Sequence, residues 1–182
     1  NSRAMAAHAA LDARVSRGEQ ARPLDAANPG AAFLRLIAEA SLPPRISKDG
    51  RTYAFTVRQG QRFADGTSIG ADSFARAVER ALAPKQASPA ASFLRDLAGA
   101  QAVLDGKGTR PSGLTVTGNT ITFRLTTPAA DFLNRLAMPF FCAVPASTPV
   151  DTQGVKTVPG SGPYTVTSLD PGRLMVLQRN PF

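Results

Sequence analysis

The sequence predicts an α+β fold in which short helices pack on a mixed sheet built from β-hairpins. Three observations predict it. Gly and Pro number 15 each among 182 residues, so the chain turns often and its elements are short. Tyr53, Phe55 and Val57 alternate with polar or small neighbours, the period of a strand with one buried face. Phe74, Val78 and Leu82 recur every four residues, the spacing of a helix with one buried stripe.

The elements follow in order. Residues 1–20 are rich in Ala and Arg and read as a helix with Met5, Ala9, Leu11 and Val15 on a weak apolar side. Residues 21–30, with two prolines and a glycine, read as a linker, and residues 31–40 as a helix burying Phe33, Leu34 and Ile37. Pro43 and Pro44 end that helix and bias their surroundings toward extended backbone. Asp49 and Gly50 make a turn into the strand around Tyr53, which Gln59 and Gly60 break. Phe63 anchors a loop reversed at Asp65 and Gly66. The helix then runs from Ala71 to Leu82, with Gly70 as N-cap and Asp72 facing the positive end of the helix dipole; Pro84 stops it.

Ser88 followed by Pro89 is a cap followed by a first helical residue, and predicts a helix burying Phe93, Leu94 and Leu97, broken near Gly99. Val103 and Leu104 extend the apolar face as far as Asp105 and Gly106. Leu114–Thr117 and Thr120–Thr126 form the clearest hairpin, around Gly118 and Asn119. Asp131–Met138 is a short helix, Pro139–Pro145 a buried extended segment, and Cys142 a buried apolar thiol. Tyr164–Ser168 and Arg173–Arg179 form a second hairpin around a Leu169–Gly172 turn.

Composition excludes several function classes. No apolar run approaches the ~20 residues of a membrane-spanning helix. The net charge of +8 suits an acidic partner, but the Arg residues are scattered singly and no aromatics are interleaved among them, so nucleic acid is not expected. His8 is the one histidine and has no triad or zinc partners nearby. The Asp-Gly pairs lack the ligand ladder of a calcium loop, and the GSGPY run at Gly160–Tyr164 lacks a phosphate-loop lysine. No cofactor, metal or enzymatic constellation is expected. The chain begins at Asn1, with no secretory leader in its first thirty residues, which predicts a processed or excised piece.

The order of motifs is more specific than any single motif. DGRTYAFTVRQGQRFADGTSIGADSFARAVERAL, then SPAASFLRDLAGAQAVLDGK, then GLTVTGNTITFRLTTPAADFLNRLAMPFF, then GSGPYTVTSLDPGRLMVLQRNP resemble, in register, successive segments of the family 5 extracellular solute-binding proteins. These are the oligopeptide-, dipeptide- and nickel-binding receptors of ABC importers. The likeness covers about Ile37 to Pro181.

That resemblance implies a two-lobed clamp of the periplasmic-binding-protein type with an extra subdomain, of which this chain is part of the first lobe. Residues 1–30 stay unassigned, 31–127 would be the small outer subdomain, and 128–182 part of the first lobe's main sheet. The implied role is substrate capture for an importer, by an extracytoplasmic monomer that serves a membrane permease and holds a peptide or similar small solute. The alternative is a sensory or interaction module on the same fold. Solute contacts are expected from Ser88, Ala90 and Ser92, from Met138, Phe140 and Phe141, and from Ser161, Gly162 and Tyr164. Two departures stand out: Gly70 replaces the family's capping Thr, and Ala90 stands where peptide-binding relatives often carry a cleft-facing Tyr.

Overall fold

A computed structural model of the chain describes residues 43–150 and 157–182. The helices expected over 1–20 and 31–40, with the linker between them, lie outside the described residues. So does His8.

The alternating run forms β2 (Thr52–Thr56), and the clearest hairpin forms β3 (Leu114–Thr117) and β4 (Thr120–Arg124). A two-residue strand, β1 (Arg45–Ile46), pairs with β2, so the sheet is four-stranded and antiparallel in the order β1-β2-β4-β3. Its register stacks the apolar set on one face: Tyr53 opposite Phe123, Phe55 opposite Ile121, Leu114 opposite Phe123 and Val116 opposite Ile121. A shift of one residue would turn all of these to the other face. Gly118 takes φ +56° at the first central position of the β3–β4 turn, the pattern of a II′ turn. Asn119 ties that turn to the end of β2, its backbone carbonyl accepting from Val57 N at 2.9 Å and its side-chain amide donating to the Val57 carbonyl.

The helix predicted from the four-residue spacing is α1 (Ala71–Leu82), with the expected bounds. It is buried over more than one stripe: Phe74, Val78 and Leu82 face the sheet, and Ser73, Ala77 and Ala81 are buried as well. Gly70 caps it without a side chain, and its backbone N–H donates to Ser73 Oγ at 3.3 Å. The Asp65 reversal before it is also as expected, with Asp65 Oδ1 accepting from both the backbone and the hydroxyl of Thr67 at 3.0 and 2.6 Å.

Beyond α1 the chain departs from the expected helix. Pro84–Gln86 and Pro89–Leu94 are 3₁₀ turns, and a short α2 (Ala100–Leu104) starts after Gly99. Ser88 does cap, accepting from Ala90 N at 3.3 Å. The segment it opens is tighter because Leu94 and Leu97, three residues apart, must both reach the core. Phe93 is only partly buried there.

The second short helix is α3 (Phe132–Leu136), inside the expected 131–138. Phe132 completes the aromatic core, with its ring 5.0 Å from Tyr53 and 5.5 Å from Phe123. The Tyr53 hydroxyl is satisfied in that core by donating to the Ala129 carbonyl at 2.7 Å.

Two expectations for the following segment are corrected. Pro139–Phe141 is a 3₁₀ turn and not an extended run, because Pro139 starts a turn closed by Phe141 N donating to the Met138 carbonyl. That turn sends Phe141 into the core and leaves Phe140 46% exposed. Cys142 is half-buried and not enclosed.

The second hairpin is β5 (Tyr164–Asp170) with β6 (Leu174–Arg179), forming a sheet of its own. Its turn lies one residue later than expected, with Pro171 and Gly172 (φ +78°) in type II positions and Arg173 N donating to the Asp170 carbonyl at 3.0 Å.

Candidate functional site

The sequence names three segments, and two of them meet. Helix α1 lays down a floor of Ala77, Arg80 and Ala81, the turn after Pro84 supplies Gln86 and Ser88 on one side, and Pro139, Phe140, Cys142 and Val144 close the other. Together they line a pocket of about 200 Å³. Pockets that hold whole ligands run from about 300 to 1,000 Å³, so this one fits a single side chain or one end of a larger molecule.

Each wall has a local cause. Ala87 takes φ +46°, the left-handed region that non-glycine residues avoid, and thereby turns the chain between Gln86 and Ser88. The opposite wall is laced to α1: Val144 N donates to the Ser73 carbonyl at 3.2 Å, and Arg76 Nε donates to the Thr148 carbonyl at 2.8 Å. Gln86 lines the pocket, but its Oε1 is shut away from solvent and accepts no hydrogen bond from the protein.

The rim is aromatic. Phe140 stacks on Phe93 with centroids 6.4 Å apart and planes at 23°, and meets Phe141 edge-on at 6.5 Å. Such pairs contribute about 0.5–1.5 kcal/mol beyond their burial. Phe93 is held from behind by Arg135 on α3, whose Nη1 donates to the Phe93 carbonyl at 3.4 Å and to Asp96 Oδ2 at 2.8 Å. The same guanidinium forks onto both oxygens of Asp131. The hydrogen bonding that Arg135 donates to Asp131 is the main reason that the Arg135 pKa is raised, and the same bonds hold the Asp131 carboxyl below the usual carboxylate range.

The other expected residues divide. Ala90 and Phe141 are buried in the core, and their side chains offer no free surface. Met138 is partly buried against that core, and Ser92 is exposed, with its hydroxyl donating to the Pro89 carbonyl at 2.8 Å. Ser161, Gly162 and Tyr164 are not among the residues lining the pocket. Their loop is docked elsewhere: the Gly160 carbonyl accepts from Ala64 N at 2.9 Å and the Gly162 carbonyl from the Asn180 amide at 2.8 Å, while Tyr164 is 61% exposed.

Arg80, Gln86 and Cys142 were not foreseen. The one local signal for them was Pro84, which ends α1 and forces the turn that carries Gln86. A wider open groove of about 810 Å³ lies at the start of α1, between Ser68, Asp72, Asn119 and Ser147, away from every expected residue. Among the described residues no three His, Cys, Asp or Glu side chains gather as a metal site.

The profile of the bacterial extracellular solute-binding proteins, family 5, matches residues 35–182. The chain is 38% identical over 96 residues to the periplasmic murein peptide-binding protein MppA of Escherichia coli, covering 50% of this chain and 18% of that protein. It is 30% identical over 144 residues to the periplasmic oligopeptide-binding protein OppA of the same organism, covering 74% of this chain and 26% of that one. The solved structure of the E. coli murein tripeptide-binding protein MppA superposes with a TM-score of 0.63 at 30% identity, over 78% of this chain and 29% of that chain. The chain thus spans about a quarter of the length of such relatives.

Proposed function

Because the chain belongs to the bacterial extracellular solute-binding proteins of family 5, we propose that it forms part of the first lobe of a solute receptor serving an ABC importer. The receptor captures a peptide or similar small solute outside the cytoplasm by closing on it, and passes it to a membrane permease. It acts as a monomer and turns nothing over. Peptides are the favoured solute because MppA and OppA are described as binding murein peptides and oligopeptides.

The single observation that carries this reading is the stack of a half-exposed Phe140 on Phe93 beside the pocket that holds Ser88. An aromatic platform on a rigid core, next to a cavity sized for one side chain, suits binding by shape. The division of residues 31–127 as an outer subdomain and 128–182 as part of the main sheet belongs to the same proposal. It is supported by the exposed apolar side chains of β5–β6, among them Leu174, Met175 and Leu177, which suit a strand pair covered on both faces by the rest of a lobe. Ser161, Gly162 and Tyr164, docked through Ala64, would then meet the solute from the main-sheet side.

The test is a thermal-shift screen of the full-length protein against short peptides, sugars and metal chelates. A ligand that binds only the folded state at about 100 times its Kd stabilises it by about 2.7 kcal/mol, which a melting curve reads directly. Peptides are expected to raise the melting temperature. A response to sugars or chelates alone, or to none of the three, overturns the proposal.

A further inference from the structure

We propose that the cavity between the end of α1 and the loop after α2 is a second binding site, for a small carboxylate carried on a compact apolar body. It shares no lining residue with the pocket beside Phe140, so it goes beyond the solute-capture reading and does not depend on it.

Three observations point to it. The first is space. The cavity measures about 380 Å³, inside the range that holds whole small ligands. The loop on its far side is turned by Gly106 at φ +75° and tied down, with Gly106 N and Lys107 N donating to the Val103 and Ala102 carbonyls at 2.9 and 2.8 Å. The second is the chemistry of the walls. Ala83, Pro84 and Val150 are apolar, and each keeps exposed surface. Arg76 and Glu79 line the cavity as well, but both are engaged. Glu79 Oε1 accepts from Arg110 Nε at 2.5 Å and Oε2 from Arg76 Nη1 at 3.4 Å, while Arg76 Nε donates to the Thr148 carbonyl at 2.8 Å. A carboxylate already matched by two guanidiniums has little to offer a cation. The third is Lys85. It is exposed, and it is the one charged lining residue whose side chain makes no hydrogen bond or ion pair among the described residues. An ammonium on a ligand would be repelled there. A carboxylate would accept from Lys85 and from the Thr109 hydroxyl, which lines the same cavity, while its apolar body covers Ala83, Pro84 and Val150.

The experiment follows the valine methyl resonances of isotopically labelled full-length protein, in which Val103 and Val150 report on the cavity. Phenylacetate, phenylacetamide and phenethylamine share a ring and differ in charge, and each is titrated in turn. Phenylacetate is expected to shift both valines saturably and to bind about three- to fivefold more tightly than the amide, the weight of one exposed ion pair, with the margin shrinking as salt is added. Phenethylamine should bind more weakly than either. Lys85→Gln is expected to erase the margin and Lys85→Arg to keep it, and because Lys85 is exposed both variants should melt with the parent. No saturable shift at Val103 and Val150, amide or amine binding as tightly as phenylacetate, or a carboxylate preference that survives Lys85→Gln would each overturn the assignment. A peptide that stabilises the receptor should do so equally in Lys85→Gln; loss of that response would merge the cavity with the solute site and overturn its independence.

Discussion

Nη1 of Arg135 sits 2.8 Å from Oδ2 of Asp96, thirty-nine positions earlier in the chain. This contact, with the fork onto Asp131, fastens the 3₁₀ segment that carries Phe93 to the helix that leads into Phe140. Asp96 is four-fifths buried, so removing its partner strands a carboxylate away from water. Arg135→Ala is expected to lower unfolding free energy by about 1–3 kcal/mol, the range for a lost buried polar partner. Arg135→Lys keeps the charge but cannot fork, and should fall between Ala and the parent. Urea unfolding of the three proteins measures the order; equal stability would show that the clamp carries no weight.

Among the described residues three carboxyls are held below their usual range: Asp131 by Arg135, Asp65 by the side chain and then the backbone of Thr67, and Asp49 by the Ser47 hydroxyl and then the backbone of Arg51. For an acid whose folded pKa is depressed, the folded state gains stability above the unfolded pKa and loses it as pH falls through the folded one. The melting temperature should therefore decline as pH drops below the ordinary carboxylate value of 3.8. Asp65→Asn, which cannot ionise, should show a shallower decline over that interval. Parallel curves for parent and variant from pH 5 to pH 2 would contradict the sign argued here.

Two glycines should answer differently to substitution. Gly113 is wedged where the chain crosses itself: its N–H donates to the Ala98 carbonyl at 2.7 Å and its carbonyl accepts from Arg124 N at 2.7 Å. A Cβ there would stand 2.9 Å from Ala98 N, against backbone that cannot yield. Gly113→Ala is expected to cost about 1–3 kcal/mol or more, as overpacking does. Gly70 has extended backbone, and a Cβ would meet only Asn119 Oδ1 at 3.5 Å. Gly70→Ser restores a capping hydroxyl and should gain a few tenths of a kcal/mol, about the difference between Gly and Ser at an N-cap. Chemical denaturation of both variants checks the opposite signs.

What the sequence could announce was whatever local chemistry decides. Helix α1 was legible because a breaker, an apolar spacing of four and a following proline all fall between Gly70 and Pro84, and the β3–β4 hairpin because its turn residues stand beside its alternation. Strand β1 was not, since two residues carry no period; only pairing of Arg45 with Ala54 and of Ile46 with Tyr53 defines it. At the site, Ser88 and Phe140 could be named, one as a cap and the other as an aromatic in an apolar run. Their meeting with Gln86, Arg80 and Cys142 could not, because it depends on the left-handed Ala87 and on the docking of Val144 onto Ser73, seventy-one positions apart. Nor could the split between Phe140 and Phe141 be foreseen, because a 3₁₀ turn and an extended run share the same composition.

That split leads to a prediction which separates binding from folding. Phe141 is 2% exposed and belongs to the core, whereas Phe140 is 46% exposed and packs on Phe93 and edge-on against Phe141. Phe141→Ala should therefore cost about 3–5 kcal/mol of stability, as core Phe truncations do, and any loss of solute affinity would follow from unfolding. Phe140→Ala forfeits little burial, and its cost to the fold should stay near the about 0.5–1.5 kcal/mol of an aromatic pair. If the ring is the platform proposed, the same change should weaken a stabilising peptide by about tenfold, the equivalent of about 1.4 kcal/mol of contact. Calorimetric titration of the full-length protein, run beside its melting curve, measures the two effects together. Unchanged affinity in Phe140→Ala would place the solute elsewhere on the lobe, and would make the Ser161–Tyr164 loop docked on Ala64 the surface to examine next.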